Sequence, residues 1–163
     1  MIPERIKSCF SCREQRQNGE NTLISGEIVC CRQHIFSVHT RGRIQKGLLG
    51  RMQLRPDEDG FAIAATCQSC GRDILIFDSE QDGYDHAFSV NDKRPAYPAE
   101  QVRCSKCDGN AFCMDVRLEY PDEKELVDLG CSEPDKAFTW IWISLICASC
   151  GRKHTGFLSC ETA

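Results

Sequence analysis

The sequence predicts a mainly β fold, a small α+β protein with short helical insertions, laid out as two metal-stapled units in tandem. Three observations carry this expectation. Apolar residues alternate with period two through Phe112-Cys113-Met114-Asp115-Val116-Arg117-Leu118-Glu119-Tyr120, which is the signature of a half-buried strand. The segments Thr66–Arg72 and Ile146–Arg152 share the pattern Cys-x-Ser-Cys-Gly-Arg, and each lies between two apolar stretches. Four Cys-x-x-Cys pairs and one Cys-x-x-His pair punctuate a chain of 163 residues that carries 13 cysteines.

The two repeated segments read as strand, tight turn, strand. Residues 61–65 and 140–145 lead into them, and residues 73–77 and 153–158 lead out. Gly71 and Gly151 follow the second cysteine, where a turn needs the positive φ that glycine accepts without a Cβ clash. The run Trp140–Ile146 is apolar on both faces and is expected in the centre of a sheet, with its tryptophans in the core. Residues 121–130 open on proline and acids and stop at glycine, as a short helix does. Ile44, Leu48, Leu49 and Met52 recur at helical spacing, although Gly47 and Gly50 interrupt the pattern. Turn residues across 81–103 mark a connection. The units are therefore residues 1–85, a linker at 86–103, and residues 104–163.

Neither unit has enough apolar sequence to stand unaided, and domains this small usually need a staple. The opening residues lack an apolar h-region, and the longest apolar run, Trp140 to Cys147, is too short to span a bilayer. A cytoplasmic location with no membrane partner is expected. In a reducing compartment paired cysteines are metal ligands before they are disulfides, and an odd cysteine count agrees.

The pairs are Cys9/Cys12, Cys31/His34, Cys67/Cys70, Cys104/Cys107 and Cys147/Cys150. Two-residue spacing lets one turn aim both side chains at one ion, and a tetrahedral structural site needs two such pairs. The sequence Cys104-x-x-Cys107, strand, insert, strand, Cys147-x-x-Cys150-Gly151, strand resembles a zinc ribbon. It covers residues 104–160 well and residues 9–80 less fully, because no glycine follows Cys12. The resemblance implies one Zn2+ held by Cys104, Cys107, Cys147 and Cys150, and a second in the N-terminal unit.

Two pairings stay open for that second ion. The internal repeat favours Cys9, Cys12, Cys67 and Cys70. A compact finger of Cys9, Cys12, Cys31 and His34 is the rival. A third ion at Cys31, His34 and His39 would need a fourth ligand. Cys30 and Cys31 are adjacent, and in a strand they point to opposite faces, so they are not expected on one ion. Cys113, Cys131 and Cys160 read as small buried hydrophobes. Four thiolates also suit iron, but repeated knuckles favour zinc.

No catalytic function is expected. His-Glu-x-x-His and His-x-Glu patterns are missing from the sequence, and strands rather than helix N-termini follow the cysteine pairs, unlike a redox dithiol. What remains is a binding or regulatory role. Residues 1–55 carry a balance of +6 and residues 56–163 one of −10. The acidic stretches at 78–85 and 122–135 suit a protein partner. The alternative is nucleic-acid contact through the basic stretch 32–55, with Arg41, Arg43, Lys46 and Arg51 as the phosphate-binding residues. Each basic residue has a blander reading, in which the basic third docks on the acidic remainder.

Overall fold

The structure, a computed structural model, describes residues 2–58, 60–82, 97–128, 130 and 137–162. His86, Cys131 and the part of the acidic stretch 122–135 that falls at 129 and 131–135 lie outside the described residues. The fold is mainly β, with two short α-helices, α1 (Glu4–Lys7) and α2 (Glu123–Asp128). The strands are β1 (Phe10–Asn18), β2 (Asn21–Ile28), β3 (Phe36–Arg41), β4 (Arg43–Lys46), β5 (Met52–Arg55), β6 (Ala62–Cys67), β7 (Asp73–Asp78), β8 (Glu100–Gln101), β9 (Phe112–Tyr120), β10 (Trp140–Cys147) and β11 (Lys153–Glu161).

Two antiparallel arrays repeat one plan. In the first, β6 lies between β3 and β7; in the second, β10 lies between β9 and β11. In both, the register shifts on the strand before the second knuckle, after Ile63 in β6 and after Ile143 in β10. Cys67 opposes Phe36 and Cys147 opposes Phe112, while Phe36 opposes Phe112. One row therefore crosses both arrays in the order Cys67, Phe36, Phe112, Cys147. Paired residues share a sheet face, so all four side chains face the core, and all are buried. Three strand spacings separate the terminal cysteines, about 14 Å.

The sequence pattern explains these elements. The predicted face of β9, Phe112, Met114, Val116, Leu118 and Tyr120, is buried in full. In β10 the buried face is Ile141, Ile143, Leu145 and Cys147, and β10 is central as expected, between β9 and β11. Its tryptophans differ from expectation. Trp140 and Trp142 are half-buried on the opposite face and stack at 5.4 Å. With Ile146 they make that face apolar in sequence, although each of its residues is only partly buried.

Three features go beyond the predicted strands. β1 and β2 form a hairpin through Gly19-Glu20, and β2 pairs with β9 along Thr22–Glu27. Gly26 permits the close approach of β1, since a Cβ there would collide with the Ser11 carbonyl and the Phe10 ring. Residues 43–55 are a hairpin, not a helix: Ile44 opposes Leu54, and the two glycines at 47 and 50 belong to the turn. Within the predicted connection, Glu100–Gln101 forms β8 on the free side of β3. Buried residues from β2, β3, β5, β6, β7, β9, β10 and β11 join one core cluster. Two ion pairs seal its edge. Arg41 binds Asp78 at 3.0 Å, and Arg5 binds Asp82. The α2 helix ends at Gly130, whose φ is +65° and whose N–H reaches Val127 at 3.0 Å, as its sequence implied. Among the described residues, no helix is long and apolar enough to cross a membrane.

Candidate metal centres

Three of the four turns that carry clustered cysteines share one hydrogen-bond plan. At Cys67 the N–H donates to the Arg72 carbonyl at 2.9 Å, and Gly71 N–H donates back to the Cys67 carbonyl at 2.8 Å. Cys147 repeats this with Arg152 and Gly151, both at 2.9 Å. Cys104 repeats it with Gly109 and Asp108, both at 2.8 Å. The residue after the second cysteine is left-handed each time, with φ of 72° at Gly71, 70° at Gly151 and 59° at Asp108. Aspartate is among the few side chains that tolerate this conformation.

The fourth turn is different. Cys30 and Gln33 exchange both backbone hydrogen bonds, at 2.9 and 2.8 Å, around a two-residue turn. Its central residues, Cys31 and Arg32, have φ of 52° and 57°. Two successive left-handed residues define a type I′ turn, and each costs on the order of 1–2 kcal/mol in a non-glycine residue. The chain holds that strain where four thiols converge.

Among the described residues, two groups of four cysteines have sulfurs within 4.8 Å of one another: Cys30, Cys31, Cys67 and Cys70, and Cys104, Cys107, Cys147 and Cys150. The Sγ atoms of Cys30 and Cys70 are 3.6 Å apart, and those of Cys30 and Cys31 are 3.8 Å apart. In the second group, Cys104 to Cys150 is 3.7 Å and Cys107 to Cys147 is 3.6 Å. A disulfide needs about 2.05 Å, and every cysteine described is a free thiol. A tetrahedral ion with metal–sulfur bonds of about 2.3 Å separates its sulfurs by about 3.8 Å. The observed edges fit that tetrahedron, and each group can hold one metal ion.

Six of the predicted ligands, Cys67, Cys70, Cys104, Cys107, Cys147 and Cys150, stand in these groups, together with Cys31. Cys30, set aside on sequence, joins them. Cys9, Cys12 and His34 lie outside both groups. Cys12 is inside extended β1 and is exposed, while Cys9 precedes that strand and is buried. In an extended chain positions i and i+3 face opposite ways about 10 Å apart, so this Cys-x-x-Cys forms no knuckle. His34 is exposed beyond the Cys30–Gln33 turn. His39, the potential third-site ligand, packs its ring edge on Tyr97 at 6.3 Å. A strand rule misplaced Cys30 because the chain turns between Cys30 and Cys31; the left-handed turn brings adjacent side chains to one point.

Electrostatics within the groups favour a cation. The backbone N–H of Arg72, helped by the neighbouring thiols of Cys31 and Cys30, lowers Cys70 to about 7. Burial, then the thiols of Cys70, Cys31 and Cys67, pushes Cys30 up to about 12. In the second group, burial opposes ionisation of Cys147, but the N–H groups of Cys150 and Ser149 outweigh it and bring the thiol to about 7. Cys107 is favoured as thiolate by the Gly109 N–H, yet the thiols of Cys150, Cys147 and Cys104 with burial drive it up to about 12. Cys70 and Cys147 are thus ready to ionise, one in each group, while Cys30 and Cys107 beside them resist. A divalent ion relieves that conflict, because like-charged thiolates share it.

The second group has an outer layer. His154 is buried; its Nδ1 accepts the Met52 N–H at 3.2 Å and its Nε2 lies 3.7 Å from the Cys104 sulfur. Accepting at Nδ1 places the ring proton on Nε2, facing the sulfur. Burial and then Arg152 lower its pKa and so favour the neutral ring. Histidine partners of this kind orient a ligand and tune its basicity. Replacing His154 with phenylalanine is expected to weaken metal binding at the second group about 10–100-fold and leave the first unchanged. Competition with a chromophoric chelator reads both steps.

Of the residues assigned to nucleic acid, Arg41 is committed to buried Asp78, whereas Arg43, Lys46 and Arg51 are exposed on or beside the β4–β5 hairpin. Of the described acids in 78–85, Asp78 and Asp82 are held in ion pairs and only Glu80 is exposed, so they form no surface patch. Comparison with protein-family models, curated proteins and solved structures finds no match. The two four-cysteine groups accord with the zinc-ribbon resemblance.

Proposed function

We propose that both groups bind zinc and that the protein is a non-catalytic, cytoplasmic binding module, acting on another protein through a surface that the metals hold in shape. The carrying observation is the closed thiol tetrahedron. Four sulfurs surround each centre, which leaves no ligand position for water or substrate. Zinc suits such sites because it is indifferent to redox state and takes tetrahedral sulfur readily. A second reading, nucleic-acid contact, is favoured by the outward face of β4–β5, which carries Arg43, Arg55 and Arg51 with Gln45 and Gln53.

The test is elemental analysis with native mass spectrometry on reduced protein. Two zinc ions per chain and loss of the β spectrum on chelation are expected. A metal-free folded chain, or iron with its colour, would overturn the zinc reading.

A further inference from the structure

We propose that the β4–β5 hairpin is the docking element, and that it takes an acidic peptide segment bearing apolar residues from a protein partner. This rests on the protein-interaction reading above and gives it an address. Leu48 and Leu49 form the hairpin tip and are 95% and 91% exposed. Leu49 is also left-handed, with φ +62° and ψ +17°, a conformation that bulky residues avoid. Exposure and strain therefore coincide at a leucine pair that contributes nothing to the core.

The ladder behind the tip is also unsatisfied. Arg43 and Arg55 stand directly opposite each other, where like charges repel. Gln45 opposes Gln53 on the same outward face, and Arg51 continues it. Among the described residues, none of Arg43, Lys46, Arg51 or Arg55 has an acidic partner; Arg55 reaches only Gln53, at 3.0 Å. An acidic segment laid along this face relieves the Arg43–Arg55 repulsion and seats apolar residues on the leucines, giving an apolar centre with a charged rim.

The hairpin is presented rigidly. Its inward residues Met52 and Leu54 are buried in the core, and Ile44 packs against it. Ser105 Oγ donates to the Gly50 carbonyl, and Met52 N–H donates to His154, which faces the Cys104 sulfur. The second metal group thus anchors the docking element. A protein explains the face better than its rivals. Duplex nucleic acid would use the arginines and leave the leucines idle. A bilayer entered by the tip leucines would meet Arg51 but not the Arg43–Arg55 pair, which stands four residues further back, about 13 Å.

The test is selection from a displayed peptide library on the metal-loaded full chain. Two variants serve as comparisons, L48S/L49S and R43E/R55E, each first shown to keep both metal ions. The expected result is a consensus of acidic and apolar residues, bound at least about tenfold more weakly by either variant and weakened by salt. A consensus that both variants bind equally would overturn the docking site and leave the protein-interaction reading intact. No enrichment overturns both. Binding of duplex DNA, or of phosphatidylserine vesicles, through these same residues would replace the peptide with that ligand.

Discussion

Changing Cys30 to serine is expected to cut the metal content from two ions to one, whereas Cys9→Ser and Cys12→Ser keep both. Cys30 Sγ is one corner of the first tetrahedron, 3.6 Å from Cys70 and 3.8 Å from Cys31. Serine is a poor ligand there, and three thiols clustered without an ion repel one another once ionised. A structural zinc contributes about 10–16 kcal/mol in small fingers, as much as the whole net stability of an ordinary domain, about 5–15 kcal/mol. The loss should therefore unfold the β3–β6–β7 array, read as lost near-ultraviolet dichroism and one missing ion by native mass spectrometry. Retention of two ions by the Cys30→Ser chain would remove Cys30 from the ligand set. The strained Cys31-Arg32 turn would then have no metal to hold it.

Phe112→Ala is expected to cost about 3–5 kcal/mol, the range for deleting a buried phenyl ring. The ring is fully buried and stands beside Phe36, between Cys67 and Cys147 in the row that crosses both arrays. Its loss opens a void between the two metal groups. Denaturant titration followed by backbone signal and by metal release should give one shared transition at a lower midpoint. Two separate transitions, one per metal, would mean that the arrays fold independently across residues 86–103.

Much of this was legible because the informative hydrogen bonds are local. A Cys-x-x-Cys knuckle closes within six residues, so Cys67/Cys70, Cys104/Cys107 and Cys147/Cys150 announce themselves, and Gly71 and Gly151 mark where two of them turn back. The alternation of β9 likewise reports its own burial. The Cys9/Cys12 pair has the right spacing but the wrong backbone, because β1 stays extended through its pairing with β2, and that pairing is not written in residues 9–12. Cys30 and Cys31 show the reverse case, wrong spacing with the right backbone. Both depend on β2 and β3 lying along one edge of β9, a contact between residues some eighty positions apart. The hairpin at 43–55 was hidden for another reason. Its two exposed leucines supply half of an apparent helical stripe, and exposure is a property of the fold, not of the residue.

The place of β9 also governs how the chain is made. β2 pairs with β1 on one side and with β9 on the other. At ribosomal rates of about 5–20 residues per second, Phe112 follows Ile28 by about 4–17 s. Throughout that interval the inner edge of β2 has no neighbour, and an unpaired strand edge invites association with other nascent chains. The first cysteine group is complete once Cys70 has been made, so metal capture there can clamp β3, β6 and β7 while the rest of the sheet is still being synthesised. Supply of metal during translation, not after it, would then set the yield of soluble protein.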